Sequence, residues 1–67
     1  METLIQELER IGEIRQGYAV LRKDATGYHM RHSKNLLGQF RHDLAPDTSA
    51  ERLEAHWNGF VANVRNS

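Results

Sequence analysis

A chain of 67 residues without cysteine has no disulfide and no thiolate metal site, and its length suits a single domain spanning residues 1–67. Its 9 Lys and Arg balance its 9 Asp and Glu, and its pI is near 6.9, so the overall basicity usual in a nucleic-acid-binding domain is missing. A hydrophobic content of 39% argues against a disordered chain, and no apolar run approaches the roughly 18 to 20 residues of a membrane span.

The start, Met1-Glu2-Thr3, leads directly into a charged periodic segment with no apolar run or small-residue cleavage site, which reads as a cytoplasmic protein without a signal peptide. Residues 2–16 are expected to form an amphipathic helix. Leu4, Leu8, Ile11 and Ile14 follow helical spacing, Thr3 offers an N-cap, and Gly17 is the natural stop because glycine adopts the left-handed position after a helix end. Tyr18-Ala19-Val20-Leu21-Arg22 is a short run with aromatic and β-branched members, and Tyr28-His29-Met30-Arg31-His32 alternates apolar with polar. Between them, Asp24 and Gly27 carry the chemistry of a turn. The expected element is a β-hairpin pairing Tyr18–Arg22 with Tyr28–His32. The competing reading is helical, with Tyr28, His32, Leu36, Phe40 and Leu44 at intervals of four.

Ser33 is a candidate N-cap for a helix from Lys34 to about Leu44, with Leu36, Leu37, Phe40 and Leu44 on one face, and Ala45-Pro46-Asp47 breaks it. A last helix follows, capped by Asp47, Thr48 or Ser49. Its Leu53, Trp57, Phe60, Val61 and Val64 form an apolar stripe, and Gly59 is expected where another backbone approaches or the helix bends. The fold expected is therefore α+β, in the order helix, hairpin, helix, helix. The alternative is an all-α three-helix bundle.

Charge patterning supplies the functional reading. Residues 22–42 carry Arg22, Lys23, Arg31, Lys34 and Arg41 against Asp24 alone, while each flank is net acidic. His29, His32 and His42 lie in the same stretch, so its positive charge grows as pH falls toward 6. These five basic residues, with Tyr28 and Met30 as apolar neighbours, are the candidate contacts for an anionic macromolecular surface. A protein is favoured over nucleic acid because the chain as a whole is neutral. The bland alternative is that these charges only solvate one face. The expectation is a small regulatory or inhibitory binding protein, with nucleic-acid binding through the same segment as the first alternative. A metal-independent ribonuclease drawing on His29, His32, Arg31, Lys34, Arg41 and His42 is the second.

No catalytic residue, cofactor or metal ligand is assigned. His29 and His32 lie three apart, on one face of a helix but on opposite faces of a strand, and a zinc site would also need His42, His56 or Asp43, with no standard spacing present. The terminal apolar stripes are expected to be core. Trp57, Phe60 and Val61 are the candidates for a homodimer interface.

Overall fold

Thr3 opens the first helix with a capping box. Its hydroxyl accepts from the Gln6 backbone N–H at 3.2 Å, while the Gln6 side chain accepts from the Thr3 N–H at 2.9 Å. In the computed structural model, which describes residues 3–33 and 41–66, this helix is α1, Leu4–Ile11. It ends five residues earlier than the periodicity predicts. Gly12, at φ +80°, takes the left-handed position and donates its N–H to the Leu8 carbonyl at 2.7 Å. Ile11 is 50% exposed, so the apolar stripe stops at Leu8, and Ile14 is buried as a strand residue.

Among the described residues four strands follow: β1 (Glu13–Gln16), β2 (Ala19–Asp24), β3 (Gly27–His32) and β4 (His42–Leu44), antiparallel and adjacent in chain order. Gly17 is a hairpin residue rather than a helix stop. It begins the two-residue turn Gly17-Tyr18 with φ +63° while Tyr18 keeps a negative φ, the pattern of a type II′ turn. The β2–β3 hairpin is present with Leu21 opposite Met30 and Arg22 opposite His29. Its strands reach further than expected, because Lys23 and Asp24 continue the ladder and only Ala25-Thr26 connects them to Gly27. Asp24 closes that connection, its carboxylate accepting from the Thr26 N–H at 2.8 Å and from the Thr26 hydroxyl.

The helix expected from Lys34 to Leu44 is corrected at its end: His42, Asp43 and Leu44 form β4, paired with Met30, His29 and Tyr28. Residues 34–40 of that element, including Leu36, Leu37 and Phe40, lie outside the described residues. Thr48 then donates from both its N–H and its hydroxyl to the Ala45 carbonyl, making a turn around Pro46. α2, Ala50–Arg65, starts at Ser49, whose hydroxyl accepts from the Arg52 N–H at 3.2 Å. The architecture is α+β, and the order helix, four strands, helix replaces both the helix-hairpin-helix-helix order and the three-helix bundle.

Both helices cover the same side of the sheet. Leu8 of α1 and Leu53, Trp57, Phe60, Val61 and Val64 of α2 enclose Ile14, Ala19, Leu21, Tyr28 and Met30, which the strand alternation directs inward. Trp57, Phe60 and Val61 therefore belong to the monomer's own core, because α2 lays its apolar stripe on the sheet it shares a chain with. Gly59 is not at a close approach: a Cβ built on it meets nothing within 4 Å.

Candidate functional site

Among the described residues no helix covers the opposite side of the sheet, and strand alternation fixes what it shows. One row of cross-strand neighbours runs across all four strands as Glu13, Arg22, His29 and Asp43. A second row is Arg15, Val20 and Arg31. Arginines, carboxylates and one histidine thus share a surface with a half-buried valine between two of the arginines, and none of these outward positions is aromatic.

Each base in the rows is held by an acid. Glu13 accepts from Arg15 Nε at 3.0 Å and from Arg22 Nε at 2.6 Å, and these two guanidiniums hold its carboxyl below the usual range. Asp43 accepts from Arg31 Nη1 at 2.9 Å and lies 2.8 Å from His29 Nδ1. The histidine and then the arginine lower its pKa. His29 Nε2 lies 2.9 Å from both Asp24 Oδ1 and the Thr26 hydroxyl. Asp24 is pushed strongly down, first by the Thr26 hydroxyl, then by His29.

His29 is the centre of this arrangement. An ionised carboxylate only accepts hydrogen bonds, so an imidazole facing one at each nitrogen is favoured in its protonated form, in which both nitrogens donate. Its pKa is accordingly raised from 6.5, chiefly by Asp43 and next by Asp24. The turn that closes the β2–β3 hairpin and the ion pair that spans β3 and β4 meet on this one side chain.

The residues that the charge pattern singles out do not form one patch. Arg22 and Arg31 lie on the open face, each against a carboxylate. Lys23 projects from the helix-covered side, its Nζ 5.3 Å from the centre of the Tyr28 ring. Tyr28 and Met30, expected as contact residues, are 1% and 0% exposed, since their parity on β3 directs them under α2. Arg41 flanks β4 beside His42, and Lys34 lies outside the described residues. His29 and Asp43 share the open face, whereas His42 meets His56 on the helix side, Nε2 to Nδ1, at 3.1 Å. These four residues do not converge on one centre. Among the described residues no cluster of three or more His, Cys, Asp or Glu could hold a metal ion, and no helix is long and apolar enough to cross a membrane.

Glu13, Arg15 and Val20 were not singled out by charge or spacing, and Asp43 was named only as a possible zinc ligand. Their signal is the register, visible only once β1 and β4 are recognised as strands. No protein-family model, curated protein or solved structure matches the chain.

Proposed function

We propose that this is a non-enzymatic binding protein whose contact surface is the open sheet face and whose partner is a protein surface carrying charges of both signs. The observation that carries this reading is the cross-strand row Glu13, Arg22, His29, Asp43, in which each base already lies against an acid. Such a face has little net charge, so it exerts weak long-range pull on a phosphate backbone, and among the described residues it shows no Phe, Tyr or Trp on which unpaired bases could stack. It offers a fixed pattern of donors and acceptors instead. Arginines tethered by carboxylates lose less side-chain freedom on docking than free ones, and a partner that matches the alternating signs keeps every charge compensated.

Val20 supplies the apolar centre, flanked across the ladder by Arg15 and Arg31. Polar rims around a small apolar centre are the ordinary anatomy of a transient protein interface. Binding there would block or recruit the partner without chemistry.

The test is capture from a lysate of the host, with and without nuclease, comparing the native chain with Val20→Asp and with the double variant Arg22→Glu, Arg31→Glu. A defined protein retained after nuclease and lost with both variants, whose circular dichroism stays native, is the expected result. Recovery of nucleic acid alone, or capture indifferent to both variants, would refute the proposal.

A further inference from the structure

A second polar site lies on the helix-covered side, away from the open face and independent of the reading above. A groove of about 650 Å³, within the roughly 300–1,000 Å³ of small-molecule pockets, runs between β4 and the later turns of α2. On the helix, His56, Gly59, Asn63 and Asn66 form one stripe at intervals of three and four. Arg41 and His42 line the opposite wall.

The donor set is one-sided. A guanidinium, two imidazoles and two carboxamides border the groove, and no carboxylate is among its described lining residues. That contrasts with the open face, where every arginine touches Glu13 or Asp43. Gly59 lines the groove without a side chain, and a Cβ there would meet nothing within 4 Å. A divalent cation is poorly served, since the described lining offers it two imidazoles and two neutral carboxamide oxygens but no carboxylate, and Arg41 repels it. An anion suits the guanidinium and the imidazole N–H groups.

The facing nitrogens of His42 and His56 show how an anion would be held. At 3.1 Å one carries a proton and the other a lone pair. If an oxyanion enters, both rings donate to it, and a neutral ring can do so by moving its proton to the facing nitrogen. Arg41 adds a planar fork suited to two oxygens of a tetrahedral group. The last carbonyls of α2 are partially negative, an influence confined to the final turn, so the anion belongs toward His56 rather than Asn66.

We propose that this groove binds a phosphate group, as the free ion or a monoester, through Arg41, His42 and His56. The experiment follows the histidine ring signals by NMR while inorganic phosphate is added at constant pH, against a chloride series of equal ionic strength. The signals of His42 and His56 should move saturably with phosphate and not with chloride, while those of His29 on the other face stay in place. Arg41→Gln and His56→Phe should each weaken the binding about tenfold or more while amide spectra confirm a native fold. Equal responses to phosphate and chloride, or unchanged affinity in both variants, would overturn the proposal. So would saturable binding of Zn²⁺ at these rings with none of phosphate.

Discussion

Replacing Gly27 by alanine tests the joint on which both polar sites depend. Gly27 has φ +134°, a region essentially reserved for glycine, and a Cβ there would fall against the Leu44 carbonyl oxygen of β4. The backbone strain alone costs about 1–3 kcal/mol. Overpacking against a neighbouring strand costs about as much again, so the expected loss is about 2–6 kcal/mol. A chain of this length has a total stability of about 3–10 kcal/mol, at roughly 0.05–0.15 kcal/mol per residue. The substitution therefore removes a large part of what holds the fold. Urea unfolding gives the free-energy change, and amide hydrogen exchange shows where it falls. Protection should be lost first between β3 and β4, and with it the contacts of Asp43 with His29 and of His42 with His56, because both Asp43 and His42 ride on β4. A variant within 0.5 kcal/mol of the parent, with β4 amides still protected, would refute the reasoning; the half-unit margin is the scatter of ordinary surface substitutions.

The other predictions concern the helix, the core and the ion pairs. Gly59→Ala should stabilise the protein by about 0.5–1 kcal/mol in the same urea assay, since the position is mid-helix and open to a Cβ. Leu53→Ala, at a fully buried position, should destabilise by about 2–5 kcal/mol, leaving a marginal fold detectable by a lowered melting temperature. The His29 ring should titrate above 6.5, and Asp43→Asn should bring its midpoint down, as read by NMR. In the pH profile of stability, the contribution of raised His29 is complete below 6.5 and is lost as pH climbs through its folded value. The depressed Asp24 and Asp43 contribute fully above 3.8 and lose their share as pH falls through their folded values. Stability from this cluster is thus complete between about pH 4 and 6.5, and a profile still rising from pH 7 to 9 would contradict it.

The last helix and the β2–β3 hairpin were legible because each carries a full set of local signals: a capping serine and a five-member apolar stripe in α2, an Asp and a Gly bracketing two short runs in the hairpin. β1 was hidden because Ile14 satisfies two periods at once. It sits three residues after Ile11 as a helical residue would, and it also alternates with Glu13 and Arg15 as a strand residue does. Two glycines five apart, Gly12 and Gly17, were both able to end a helix, and the nearer one did. β4 was hidden for a related reason, since three residues hold too little pattern to separate a strand from the last turn of a helix, and its partner is set by long-range pairing. Charge in the chain was legible as a tally but not as a surface. Arg22 and Glu13 are nine residues apart, and Arg31 and Asp43 twelve, so the neutralisation of the basic segment depends on pairings that composition does not contain.

The placement of α2 bears on how the protein is made. The four strands join through chain neighbours, two of the three connections being two-residue turns, so the sheet can form early and quickly, on the microsecond scale of hairpins. Its inward face is finished long before its cover. During synthesis at about 5–20 residues per second, Ile14, Ala19, Leu21, Tyr28 and Met30 stay wet for a second or more until Ala50–Arg65 has left the ribosome. In that interval the nascent chain presents an apolar sheet to its surroundings, and substitutions that weaken α2 should lower soluble yield more than they lower the melting temperature of the protein that does emerge.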